Sequence, residues 1–191
     1  MKEKLENILR HHKKNKISGE NLKSSAVLIP LFYHQGELHV LFTQRTEEVN
    51  FHKGQVCFPG GAREPSDASP LQTALREAEE EIGLKAEAVE ILGELDDGRT
   101  VTSNYLICPF VAFIPYPYPF KIDRKEVKQV FSVPLSALMD KANFKQDYYT
   151  INGSSILVYS YQYEGNVIWG ATAMILKQFI ELLSPESGAL C

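Results

Sequence analysis

Between Arg76 and Leu84 the chain reads REAEEEIGL, and three of its glutamates are spaced to act together. Positions i, i+3 and i+4 are neighbours on an α-helix, so Glu77, Glu80 and Glu81 stack within roughly a 100° arc while Glu79 points away. Carboxylates this close repel one another, and the repulsion is relieved by protonation, by solvation or by bound divalent cations. Hard oxygen donors select Mg²⁺ or Mn²⁺. Such ions neutralise anionic oxygens and lower the pKa of a bound water that is otherwise a poor nucleophile. Glu77, Glu80 and Glu81 are therefore the candidate metal ligands. Arg76 lies beside Glu80, where an ion pair would fix the carboxylate and offset part of the repulsion between the acids. A solvated helix face would carry the same acids, but here Pro59-Gly60-Gly61 precedes the run and Gly83 closes it. Glycine turn, acidic helix and glycine stop together describe a rigid loop-helix-loop.

The elements that must position this helix follow from hydrophobic periodicity. Leu71, Ala74, Leu75, Ala78 and Ile82 form an apolar stripe next to the acidic face, predicting a helix over about 69–83 that is anchored on a core. Residues 3–12 read as an amphipathic helix, and 25–33 with 38–43 as a strand pair turned at Gln35-Gly36. Strands are predicted at about 88–95, 106–114 and 127–133, then a short helix over 134–140. Residues 155–163 and 166–169 read as a hairpin turned at Glu164-Gly165, and 172–183 as a closing helix. The run Pro115-Tyr116-Pro117-Tyr118-Pro119 is expected to be a loop between strands, its tyrosines packed on the surface more readily than lining a cleft. This order is α/β, with a mixed sheet between helices.

Composition narrows the class. The chain has 191 residues, 44% hydrophobic and 23% charged, which suits one domain with a proper core. No apolar run approaches the roughly 20 residues of a membrane span, and the charged N-terminus lacks the apolar core of a secretion signal, so a cytoplasmic location is expected. A net charge of −4 argues against nucleic acid as a partner. The basic patch from His11 to Lys16 is expected to be solvated at the end of the first helix. Cys57, Cys108 and Cys191 suggest neither disulfides nor a zinc site, and Cys57 reads as a small buried hydrophobe.

The acidic run resembles the Nudix box of the Nudix hydrolase superfamily. Arg76, Glu77, Ala78, Glu80, Glu81, Gly83 and Leu84 match its second half, and Gly61 supplies its opening glycine. The first half departs from the pattern, because the interval from Gly61 to Arg76 is one residue longer and Ala68 stands where a glutamate is expected. Asp67, just before it, is placed to take over that structural role. Upstream, Thr43, Arg45, His52, Gly54, Gln55, Val56, Phe58 and Pro59 resemble the further signature of the coenzyme A pyrophosphatase branch. Glu126-Val127, Val133-Pro134-Leu135 and Ile168 to Ala173 extend the likeness over most of the chain.

The resemblance implies a Nudix fold, an α-β-α sandwich, over residues 23–185, with an N-terminal helix and linker at 1–22 and a tail at 186–191. It implies a pyrophosphohydrolase in which Gly61 joins the metal shell through its carbonyl and Glu126 is brought to the site as a further catalytic acid. Coenzyme A carries a diphosphate and a separate phosphate, so Arg45, His52, Lys53 and Arg63 are the candidate substrate-binding residues. Arg45 has an alternative role in pairing with a nearby acid at a strand end, and His52 one in capping its loop. The implied reaction is metal-dependent hydrolysis of coenzyme A, or an acyl or oxidised form, to 3′,5′-ADP and 4′-phosphopantetheine. The alternatives are a Nudix pyrophosphatase for ADP-ribose or a dinucleoside polyphosphate, and a non-catalytic nucleotide-binding module. The partner is a small molecule, with a homodimer left open.

Overall fold

The computed structural model describes residues 1–19, 21–49, 52–100, 104–151 and 154–184. The tail expected at 186–191, with Cys191, lies outside the described residues. In chain order the elements are α1 (Lys2–His11), β1 (Lys23–His34), β2 (Glu37–Arg45), β3 (Val56–Cys57), β4 (Gly60–Ala62), α2 (Pro70–Ile82), β5 (Glu90–Glu94), β6 (Gly98–Arg99), β7 (Tyr105–Phe113), β8 (Val127–Pro134), α3 (Leu135–Met139), β9 (Phe144–Ile151), β10 (Ser154–Tyr163), β11 (Asn166–Trp169) and α4 (Gly170–Leu183).

β1 is the centre of a mixed eight-stranded sheet. One of its edges runs parallel to β7, from Lys23 opposite Tyr105 to Leu31 opposite Phe113. β5 and β6 pair antiparallel with β7, and β8 pairs antiparallel with β2. Alternation along the strands then separates two cores. Ala26, Leu28, Cys108, Phe110 and Ala112 face α2 and its Ala74, Ala78 and Ile82. Ile29, Leu31, Val40, Phe42 and Val111 face the opposite way, onto Leu5 and Leu9 of α1 and Leu176 and Phe179 of α4. The result is the expected α-β-α sandwich, and the small alanines of α2 let that helix lie close to the sheet.

The β1–β2 hairpin opens like a wedge. Near its turn, Leu31 pairs with Val40, but farther along β1 takes β4 as its neighbour and β2 takes β3. The glycine loop fills the gap, with the Leu28 N–H donating to the Pro59 carbonyl at 2.8 Å. Gly60 makes this possible. Its φ is +154°, and a Cβ there would lie 2.4 Å from the Ala26 carbonyl oxygen.

The helix that carries the acids has clear ends. Ser69 caps its N-terminus by accepting from the Gln72 N–H at 3.2 Å, and Pro70 opens the first turn. Gly83 closes it in the left-handed region, its N–H bonded to the Glu79 carbonyl at 2.8 Å. The Tyr118 hydroxyl donates to the Gly83 carbonyl at 3.2 Å and accepts from the Lys85 N–H at 3.0 Å, so this tyrosine of the proline-rich loop braces the helix end.

Several expectations are corrected. β3, β4 and β6 were not anticipated, since two or three residues carry no alternation. β9 was missed because its residues from Lys145 to Thr150 are exposed on both faces. Residues 86–88 form a 3₁₀ turn, so the strand expected from 88 begins at Glu90. The basic patch is not simply solvated: His12 Nε2 lies 2.8 Å from Asp96, and Lys14 lies 2.7 Å from both Glu94 and Asp97. Asn15 donates to Asp96 through its backbone at 2.8 Å and its side chain at 3.0 Å. The segment is a strap held by acids about 80 positions away.

Candidate active site

The acidic face of α2 lies over the open end of the wedge, and its three glutamates occupy different depths. The Glu81 side chain is 3% exposed, Glu77 is 16% exposed and Glu80 is 59% exposed. Glu79 turns away and pairs with Lys85. Gly61 lies against Glu77, and a Cβ there would be 2.5 Å from the Glu77 carboxylate. The absence of a side chain is what lets the carboxylate and the turn meet.

Arg76 organises the outer part of this face. Its Nη1 lies 2.7 Å from Glu80 and its Nη2 2.9 Å from Glu77. Nη2 also donates to the Ala62 carbonyl at 3.1 Å. Asp67 in turn holds the guanidinium, accepting from Nε at 3.0 Å and Nη2 at 3.1 Å. The Asp67 carboxylate is buried and also accepts from the Thr73 hydroxyl and the Glu64 N–H, each at 2.9 Å. With Arg76 and these donors facing it, its pKa falls to about 2.

Arg45 organises the inner part. At the end of β2, its Nη1 lies 3.4 Å from Glu81 and its Nη2 3.6 Å from Glu126. The other Glu81 oxygen accepts from the Gly60 N–H at 3.3 Å. Burial pushes the Glu81 carboxyl up to about 8, with the charges of Glu77 and Glu126 adding to the effect and Arg45 and Gly60 opposing it. Burial likewise raises Glu77. Glu126 is half-exposed on a loop fixed at both ends. The Asp123 N–H donates to the Glu81 carbonyl at 2.9 Å, and Thr46 bonds to the Glu126 carbonyl through its N–H at 2.9 Å and to the Lys125 carbonyl through its hydroxyl at 2.8 Å.

The remaining candidates sit on the rim or are engaged elsewhere. His52 and Lys53 are exposed in the loop after β2, which returns alongside that strand through the Arg45 N–H to Gln55 carbonyl bond of 2.9 Å. His52 Nδ1 lies 2.9 Å from the Gln55 side chain. Arg63 donates to the Asp67 carbonyl from Nε at 3.2 Å and Nη2 at 2.9 Å, so it braces the loop that carries Asp67. Cys57 contacts the Thr43 hydroxyl at 3.2 Å, and burial pushes its thiol up to about 11, so it is a protonated packing residue at neutral pH. Sequence reasoning did not foresee Thr46, Thr73 or Tyr118, whose contacts join segments distant along the chain or depend on a loop's path.

Carboxylate oxygens together with a glycine turn are a donor set suited to Mg²⁺ or Mn²⁺. Burial is the main cause of the raised Glu77 and Glu81 carboxyls; it disfavours their charged forms, a cost that a nearby cation would offset. Among the described residues no three acidic, histidine or cysteine side chains form a closed cage. Arg76 and Arg45 take the carboxylates instead.

An acidic helix set over a glycine turn at the mouth of a split hairpin, in an α-β-α sandwich, suits a hydrolase that works with a divalent cation. Residues 22–152 match the NUDIX domain, and the chain belongs to the Nudix family. It is 35% identical over 162 residues to a protein of Photorhabdus laumondii described as an uncharacterized Nudix hydrolase NudL, covering 85% of this chain and 86% of that one. A MutT/nudix family protein from Enterococcus faecalis superposes with a TM-score of 0.56 at 15% identity, over 95% of this chain and 73% of that one. An Ap4A hydrolase from C. elegans gives 0.51 at 18% identity, over 60% and 82%. The chain is a Nudix pyrophosphohydrolase, and such enzymes act on small nucleotide substrates with divalent metal ions.

Proposed function

We propose that this enzyme hydrolyses the diphosphate of coenzyme A, or of an acyl or oxidised derivative, to 3′,5′-ADP and 4′-phosphopantetheine. The observation that carries the reading is the position of Arg45. The segment resembling the coenzyme A signature runs from β2 through the loop to Gly61, and its arginine touches the most deeply set glutamate of the acidic helix. That contact supports reading the segment and the acids as parts of one site.

In this reading Glu77, Glu80, Glu81 and the Gly61 carbonyl hold Mg²⁺ or Mn²⁺. When bound, the ions neutralise phosphate charge and acidify a water. Arg76 aims Glu77 and Glu80, and Asp67 keeps Arg76 in place. Glu126, on a loop tied to both α2 and β2, is the candidate to take the water's proton. Arg45, His52 and Lys53 meet the anionic substrate, and Arg63 contributes by stiffening the loop beneath it. The cytoplasmic location expected from the sequence suits this substrate.

The test is incubation of purified protein with coenzyme A and Mg²⁺ or Mn²⁺, with chromatographic resolution of products, repeated with Glu80→Gln. Loss of a metal ligand or base costs at least about 10²-fold in rate, so the variant should be nearly silent. Turnover of ADP-ribose or a dinucleoside polyphosphate in place of coenzyme A would favour the alternative Nudix substrates. Equal turnover by wild type and variant would place the chemistry elsewhere.

A further inference from the structure

We infer that β9 is a dimerisation edge that pairs with β9 of a second copy of this chain. β9, β10 and β11 form a three-stranded antiparallel sheet in which β10 is central. β11 pairs only with residues Ser160 to Tyr163 of β10. Beyond that point the ribbon of β9 and β10 is two-stranded, and β9 is exposed from Lys145 to Thr150, with Tyr148 72% exposed and Tyr149 56% exposed on opposite faces. A two-stranded ribbon is marginal in water, and a third strand supplies hydrogen bonds along its open edge. Among the described residues no strand pairs with the outer edge of β9.

The order of side chains selects the occupant and the register. Phe144, Gln146 and Tyr148 share one face of β9, and Lys145 and Asp147 share the other. A two-fold axis perpendicular to the sheet keeps each residue on its own face and passes through one residue of the strand. With the axis at Gln146, Lys145 lies opposite Asp147 of the second copy and Asp147 opposite its Lys145. On the other face Phe144 lies opposite Tyr148 of the second copy, twice by symmetry. Phe144 already packs against Tyr161 and Tyr159, with ring centroids 5.0 and 5.9 Å away, so the incoming tyrosine extends an existing aromatic row. Moving the axis one residue either way sets Lys145 against Lys145 or Asp147 against Asp147, which directly opposed strands disfavour. One register is therefore favoured by both faces and its two neighbours are penalised. The product is a continuous six-stranded sheet in which two arms shelter one another.

The test is charge exchange on the full chain, with mass measured by light scattering after size exclusion over a range of concentrations. Wild type should be a dimer. Asp147→Lys alone and Lys145→Asp alone each place like charges opposite in both symmetry-related pairs, and each should weaken the dimer by at least about tenfold in Kd. The double exchange restores opposite charges and should recover the dimer. Both positions are exposed, and circular dichroism melts confirm that each variant is folded. A monomeric wild type at about 100 μM, above the micromolar Kd of a weak specific complex, would overturn the inference. So would a dimer indifferent to both single exchanges, or one that the double exchange fails to rescue.

Discussion

Asp67 grips Arg76 by two hydrogen bonds, Nε to Oδ1 at 3.0 Å and Nη2 to Oδ2 at 3.1 Å. Asp67 stands one position before Ala68, where the family pattern has glutamate, and its two bonds hold the guanidinium that opens the acidic run. Arg76 is left with its outer nitrogens facing Glu77 and Glu80, so a buried loop residue sets the geometry of the acids.

Removal of that grip has a definite cost. Asp67→Ala leaves the guanidinium short of its buried partner and should destabilise the fold by about 3 kcal/mol, as breaking one side of a buried pair does. Mn²⁺ affinity should fall by roughly 10- to 100-fold, because the residues that orient metal ligands carry effects of that size. Denaturant unfolding and calorimetric titration measure the two. A variant as stable as wild type would show that the fork is incidental.

Glu81 should trade stability for activity. Its folded carboxyl is raised to about 8, above the ordinary value near 4.3, so the fold favours the protonated form. That stability is fully present below about pH 4.3 and is lost as pH rises toward 8. In metal-free protein at pH 9, Glu81→Gln should therefore be more stable than wild type by an amount on the order of a few kcal/mol, with the gain shrinking at pH 5. Hydrolysis should fall by at least about 10²-fold. Metal-free unfolding at the two pH values, beside an assay, decides the matter. Asp67, with its pKa lowered to about 2, has the opposite sign: its stabilisation is present above about pH 4 and fades as pH falls to 2.

The two loop glycines should fail differently. At Gly60 an added Cβ meets backbone, 2.4 Å from the Ala26 oxygen, at a φ of +154°. Gly60→Ala should cost about 3 kcal/mol or more and open the wedge. At Gly61 the added Cβ meets the end of the Glu77 side chain, which can rotate away. Gly61→Ala should melt within a few degrees of wild type while losing at least about tenfold in kcat, since a displaced carboxylate no longer serves the metal. Similar melting curves for both variants would refute the distinction.

The N-terminal strap gives a prediction remote from the chemistry. The Asp97 side chain is 6% exposed and lies 2.7 Å from Lys14. Lys14→Met leaves that carboxylate without its cation and should cost about 3 kcal/mol, read by denaturant unfolding. kcat under folding conditions should be unchanged. A large loss of kcat in folded protein would connect the strap to the active site.

What the sequence determined by itself was local in origin. A 3.6-residue period sets Glu77, Glu80 and Glu81 on one side of a helix, places Arg76 next to Glu80, and lets Ser69-Pro70 and Gly83 mark its ends. Strand alternation likewise separates Leu28 from Ile29, and Gly36 marks the turn between the first two strands. These features depend on neighbours within a few positions, so composition and spacing carry them. Only the tertiary structure decided how deep each acid lies, because depth depends on what covers it. Glu81 is buried since the split between β1 and β2 admits the glycine loop beneath α2, while Glu80 remains at the surface one residue away. Arg45 and Glu81 are 36 positions apart and Lys14 and Asp97 are 83 apart, and opposite charges at such separations carry no mark of their pairing. β9 escaped detection for the converse reason. Exposed on both faces, it lacks the alternation that burial imposes, and only its backbone pairing to β10 reveals it as a strand.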